Sequence, residues 1–180
     1  MTEQRTHFRG RYLAIAERDD WEFATRTNAS AVAVLVAVTD AGEIILVEQH
    51  RIPVRGRTIE LPAGLVGDLD DPEESIITAA ARELEEETGY RAGRLEPLLT
   101  CPSSAGMSDE MITFLLAEEL TRTGPGGGDD SEDITVHRVP LDQASEWLAE
   151  QRALGRQLDP KIYSALYWLD RIAAGKPPLG

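Results

Sequence analysis

The chain has 180 residues, 42% hydrophobic and 28% charged, a composition that supports one ordinary globular domain with a sizeable core and argues against disorder. Its formal net charge of -14 repels polyanions at long range and so disfavours sequence-independent nucleic-acid binding, while any anionic small molecule would have to be met by a cation. No apolar stretch approaches the roughly 20 residues that span a bilayer, the polar opening lacks the apolar segment of a secretory signal, and the single Cys101 excludes a disulfide framework or multi-cysteine zinc site; a cytoplasmic protein that avoids membranes is expected.

Residues 8–27, with Arg11-Tyr12-Leu13-Ala14-Ile15 and Trp21-Glu22-Phe23-Ala24, predict two short strands in an N-terminal β arm (1–27) ahead of a main domain at 28–180. Two continuous apolar runs follow, 31–37 and 43–48, separated by the turn signal Asp40-Ala41-Gly42, and they predict a buried hairpin. Residues 58–61 lead as a strand into Pro62-Ala63-Gly64, where glycine permits a backbone conformation or a close approach that a side chain would block. From 72 to 88 the pattern is helical, with Asp71 as N-cap, Pro72 at the first helical position and Gly89 as the stop. Strands at 94–99, 111–117 and 134–139 and helices at 141–151 and 160–173, the last capped by Asp159, complete an α/β sandwich with a mixed sheet. Between the last two strands lies a glycine-rich, acidic loop, 124–133, with no Gly-Lys-Ser/Thr to make it a phosphate-binding P-loop.

Acidic residues are concentrated at 68–87 and 129–133, which suggests a metal site. Spaced at about 100° per residue, Ile77, Ala80, Ala81, Leu84 and Thr88 share one arc of the helix, and Glu83, Glu86 and Glu87 share a neighbouring one. Like charges so close destabilise a bare helix and call for solvent or a cation, and oxygen-only ligands favour magnesium or manganese over zinc.

The order of these residues is more specific than their composition. Glu74, seven residues, then Arg82-Glu83-Leu84-Glu85-Glu86-Glu87-Thr88-Gly89-Tyr90 resembles the second half of the Nudix box at every fixed position; nine residues separate Gly64 from Glu74 where the family pattern has five, which reads as an insertion in the loop before the helix. Glu48-Gln49-His50-Arg51, Glu60-Leu61-Pro62-Ala63-Gly64, Ser104-Ala105-Gly106-Met107-Ser108-Asp109-Glu110 and the segment after the acidic loop are similar to the ADP-ribose and nucleotide-sugar pyrophosphatase branch, with Ala105 where that branch has a proline.

The resemblance implies an α/β/α sandwich that hydrolyses the pyrophosphate bond of a nucleoside diphosphate linked to a sugar-like group, using two to three Mg2+ or Mn2+ ions. It implies Glu83, Glu86, Glu87, Glu132 and the Ala63 carbonyl as metal ligands, Asp130 or Glu132 as general base with Glu86 also catalytic, and Glu74 and Arg82 as residues that orient the ligands. Arg51, Leu65, Ser104 and Glu110 are candidate substrate contacts, and Trp21 is a candidate to stack on a base from a homodimer's exchanged arm. Alternative readings are a catalytically silent nucleotide-sugar sensor and a dinucleoside polyphosphate hydrolase.

Overall fold

Residues 4–67, 71, 73–128 and 132–179 are described in a computed structural model of the chain. Residues 68–70, in the loop read above as carrying an insertion, Pro72 of the expected helix start and Asp130, a candidate general base, lie outside them.

The arm is a three-stranded antiparallel meander: β1 (Arg5–Arg9), β2 (Leu13–Arg18) and β3 (Trp21–Arg26). Two strands were expected; β1, RTHFR, is exposed along its whole length and shows no apolar alternation for sequence reasoning to detect. The arm then joins β4 (Ala31–Ala37), β5 (Glu43–Arg51), β6 (Gly56–Glu60), β7 (Ala63–Val66), α1 (Ile76–Thr88), β8 (Tyr90–Pro102), β9 (Met111–Arg122), β10 (Thr135–Pro140), α2 (Ala144–Ala153), β11 (Gln157–Leu158) and α3 (Lys161–Ala173).

The two apolar runs form strands, but not one hairpin ladder. β4 belongs to a sheet ordered β7-β4-β9-β8, whereas β5 belongs to a second sheet ordered β10-β5-β6-β11. The turn between them is a corner, closed by the single bridge between Val38 and Ile44. Instead β4 pairs parallel with β9 from Val32↔Ile112 to Ala37↔Ala117, a partner that only long-range topology supplies.

Both faces of β4 are buried, which is why its sequence is uniformly apolar rather than alternating. Val34 and Val36 face an interior shared with Ile44 and Leu46 of β5 and with Leu148, Ile162 and Trp168 of α2 and α3. Ala33, Leu35 and Ala37 face the other way, onto Ala79, Ala80 and Leu84 of α1. The result is a mixed-sheet α/β/α sandwich, with α1 on one side and α2 and α3 on the other.

The helix α1 begins four positions later than the Asp71-Pro72 signal suggests. Ser75 is its N-cap, in extended conformation, with its hydroxyl accepting the Thr78 N–H at 3.1 Å; Asp71 instead accepts the Glu73 N–H in the preceding turn. Gly89 ends the helix as expected, in the left-handed conformation at φ 72°. The buried arc is Ala79, Ala80, Leu84, Glu87 and Thr88, so Ile77 and Ala81 turn outward and the carboxylate of Glu87 turns in. Among the described residues no helix is long and apolar enough to cross a membrane. Ser75→Ala should lower stability by about 1 kcal/mol in denaturant titration, and Asp71→Ala by clearly less; the reverse ranking would restore the earlier helix start.

Candidate active site

The last turns of α1 pass beside β7, and the i, i+4 spacing of Glu83 and Glu87 aims both carboxylates into one cavity of about 370 Å³. Val32 and Val34 of β4 and Ile112 of β9 give it an apolar wall. Glu87 is 3% exposed and accepts the Ala63 N–H at 3.0 Å. Burial pushes its carboxyl up to about 8; the Ala63 hydrogen bond pulls the other way, the nearby Glu83 and Glu132 push it further, and Arg51 opposes them. The room for Glu83 comes from Gly64, where a Cβ would overlap the Glu83 carboxyl group. Close approach, and not a left-handed backbone, is what requires glycine there.

Arg82 holds this end of the helix in place. Its Nε and Nη2 donate to the two carboxylate oxygens of Glu74 at 3.2 and 3.3 Å, Nη1 donates to Glu83 at 2.7 Å and Glu86 at 3.2 Å, and Nη2 also reaches the Leu65 carbonyl at 3.2 Å. Glu74 in turn accepts the Gly67 N–H at 3.1 Å. Burial works against the Arg82 charge, but Glu74 and Glu83 outweigh it and keep the guanidinium protonated. These contacts tie the loop before α1 to the carboxylates near its end.

The cavity's cations come from three distant segments. Arg51 at the end of β5 forms a two-pronged pair with buried Glu60, at 2.8 and 2.7 Å. Arg26 at the end of β3 pairs with Glu110 at 2.6 Å, and Lys161 at the start of α3 pairs with Asp159. Burial works against the Glu110 charge, yet Ser103, Arg26 and Lys161 together hold its pKa below the usual carboxylate value.

Of the residues expected from sequence, Arg51, Ala63, Leu65, Glu83, Glu87, Glu110 and Glu132 line this one cavity. Glu86 does not: its side chain is 52% exposed, on the outer side of Arg82. Ser104 is also outside the lining; its neighbour Ser103 takes that place, and the Ser104 carbonyl instead closes a turn by accepting the Met107 and Ser108 N–H groups. Trp21 is 63% exposed on the arm and borders two shallow depressions there, away from its own chain's cavity. Arg26, Ser103 and Lys161 carried no local signal in the sequence, because each is a single polar residue at the end of a different element, and Glu60, though part of the quoted Glu60-Leu61-Pro62-Ala63-Gly64 segment, was given no role of its own.

The donor set fits hard divalent cations. The described lining residues include five carboxylates, Glu60, Glu83, Glu87, Glu110 and Glu132, against three cations, so an anionic ligand needs added positive charge to enter. All the side-chain acids are oxygen donors, suited to magnesium or manganese. Among the described residues no three such side chains are gathered tightly enough to chelate one ion.

Fold and cavity together define an α/β/α sandwich in which a glutamate-rich helix, stopped by a glycine, supplies acidic side chains to a cleft beside the sheet. The chain belongs to the Nudix family: the NUDIX domain matches residues 28–164. It is 40% identical over 143 residues to an ADP-ribose pyrophosphatase of Bacillus subtilis strain 168, covering 79% of this chain and 72% of that protein. It is 37% identical over 126 residues to a methanol dehydrogenase activator of Bacillus methanolicus, covering 69% of this chain and 65% of the relative. With a GDP-mannose pyrophosphatase of Escherichia coli K12 it shares 34% identity over 129 residues, 67% of this chain and 65% of that one. The chain thus spans about two thirds of the length of these relatives. The crystal structure of an ADP compounds hydrolase matches it with a TM-score of 0.72 at 22% identity, over 96% of this chain and 92% of the other, a likeness of fold.

The raised Glu87 pKa has a stability consequence with a definite sign. Without metal, the folded chain holds a proton that the unfolded chain releases above its ordinary value of 4.5, so stability falls as pH rises from there towards about 8. Glu87→Gln, which keeps an acceptor for the Ala63 N–H, should therefore melt close to the parent near the bottom of that window and progressively above it towards the top. The divergence is at most about 1.4 kcal/mol per pH unit. Melting curves in chelator that stay parallel across the window would contradict it.

Proposed function

We propose that the chain hydrolyses the pyrophosphate bond of a nucleoside diphosphate linked to a sugar, with ADP-ribose or a nucleotide sugar as substrate, releasing a nucleoside monophosphate and a sugar phosphate. The observation that carries this reading is the convergence of Glu83 and Glu87 from α1 with Glu132 from the acidic loop on a cavity that also presents Arg51. The names of the pyrophosphatase relatives support the substrate class.

Glu83, Glu87, Glu132 and the Ala63 carbonyl would hold two to three Mg2+ or Mn2+ ions, with Glu86 joining them through its exposed carboxylate. Bound there, such ions neutralise the diphosphate and lower the pKa of a water molecule. Glu132, which lines the cavity, would accept the proton of an attacking water as the water oxygen bonds to phosphorus and the bridging P–O bond breaks; Asp130 is the other candidate base. Arg51, whose Nε and Nη2 are engaged by Glu60, offers its remaining N–H groups to a phosphate oxygen. Buried Glu60 fixes the guanidinium plane, and the outer part of Arg51 stays accessible. A cytosolic location, in keeping with the lone thiol, belongs to the same reading.

We also infer a homodimer. Phe8, Tyr12 and Trp21 of the arm are 63%, 54% and 63% exposed, a cost in apolar surface that a second copy would remove. Each Trp21, which does not line its own chain's cavity, would then stack on the base bound by the partner.

Glu83→Gln and Glu87→Gln should each reduce metal-dependent turnover of ADP-ribose by about 10²-fold or more with the fold intact by circular dichroism. Wild-type turnover in either variant removes the assignment, and a nucleotide-sugar panel that binds without turnover in Mg2+ or Mn2+ favours a sensor. For the arm, light scattering should give twice the chain mass, falling to the chain mass with loss of activity when residues 1–27 are deleted. A fully active monomer rules out the exchanged arm.

A further inference from the structure

The glycine-rich segment after β9 is fastened to the end of α1. The Gly127 N–H donates to the Glu87 carbonyl at 2.8 Å and the Gly128 N–H to the Glu86 carbonyl at 3.0 Å, while the Thr123 and Gly124 N–H groups donate to the Gly89 carbonyl at 2.8 and 3.2 Å. A helix leaves its last four carbonyls without donors of its own. Here two of them, those of Glu87 and its neighbour Glu86, are satisfied by the glycine segment that precedes Glu132 in the chain.

The geometry requires glycine. Gly126, Gly127 and Gly128 have φ values of 69°, 116° and 79°, in the region L side chains avoid. A Cβ on Gly126 would also stand 2.7 Å from the carbonyl oxygens of both Glu87 and Thr88, backbone atoms that cannot swing aside. A Cβ on Gly128 would stand 2.8 Å from the Cβ of Glu132, so the Glu132 side chain lies directly against this glycine. Beyond Glu132, Asp133 is tied to Arg57 at 2.8 Å, and Arg57 holds buried Glu48 at 2.6 Å.

We propose that Gly126, Gly127 and Gly128 are positioning residues: they strap the segment leading to Glu132 onto the last turn of α1, which fixes Glu132 in register with Glu87 across the cavity. The inference rests on the role of those two carboxylates proposed above. An isolated surface ion pair such as Arg57–Asp133 contributes little alone. The strap uses main-chain hydrogen bonds and a contact that any side chain would break, so it sets the register, and the ion pair limits the swing of the far end.

The test uses the full chain in three variants. Gly126→Ala should expose the amides of residues 127 and 128 to hydrogen exchange and weaken Mn2+ binding, titrated with the metal alone, by about 10- to 100-fold, with a matching fall in kcat. Gly175→Ala is the control: its φ of 68° imposes the same backbone strain, but nothing lies within 4 Å of the new Cβ. Amide protection at 127 and 128, Mn2+ affinity and kcat should all stay at parental values there. Gly126→Ala with its amides still protected, or with them exposed and Mn2+ affinity and kcat unchanged, overturns the proposal; so does an equal loss in Gly175→Ala. Glu132→Gln separates the two levels of argument: parental affinity and turnover in that variant strike down the role of Glu132, whatever the amides show.

Discussion

A carboxylate buried beside two others, near the negative end of a helix, is the constraint around which this molecule is arranged. Each factor raises the free energy of an ionised Glu87: loss of water, the charges of Glu83 and Glu132, and the carbonyl end of α1. The protein answers with partial measures. The Ala63 N–H donates one hydrogen bond, Arg51 lends distant positive charge, and Arg82 takes part of the charge of Glu83. None neutralises the group, and the residual deficit is what a divalent cation would satisfy. Stability is given up at this point and recovered in the apolar interior, as is common where a site needs unpaired charge.

That interior makes the arrangement rigid enough to hold. With β4 and β9 paired in parallel and buried on both faces, side chains alternate between α1 on one side and α2 and α3 on the other. The cavity opens along the end of this pair, where Val32, Val34 and Ile112 give way to polar side chains from β5, β6 and α1. A shift of the sheet would move Ala63 and Gly64 relative to Glu83 and Glu87, so packing far from the cavity fixes carboxylate geometry within it.

The site was legible where order along one helix carries it. Arg82, Glu83 and Glu87 are related by fixed helical spacing, and Glu74, just before the N-cap, is fastened to them by Arg82, so a linear pattern encodes their geometry. Residues recruited by tertiary contact left no such trace: Arg26 and Lys161 reach the cavity only because β3 ends and α3 begins there. The misread hairpin has the same origin, since two buried strands joined by a turn look alike whether they pair with each other or part into two sheets. Helix α1 began late because Ser75 offered a hydroxyl at the right distance from Thr78, a competition between two adequate caps that local propensity does not resolve. Ser103 displaced Ser104 by the alternation of a strand end, where one step in sequence reverses the side chain.

Arg82 shows why the order of residues in the helix is so restrictive. Its donors serve the Glu74 carboxylate, Glu83, Glu86 and a main-chain carbonyl in a fan of directions. A planar guanidinium with five N–H groups can span those acceptors, whereas a lysine ammonium could reach only some of them and would not fix their orientation. One side chain thereby couples the loop before α1, β7 and the carboxylates near the end of the helix. Moving Arg82 by one residue would turn it by about 100° around the helix and detach all of them together. The spacing from Glu74 to Arg82, Glu83 and Glu86 is thus a geometric requirement of a charged knot, and the loop preceding Glu74 can vary in length because Glu74 itself, through Arg82 and the Gly67 N–H, reattaches it.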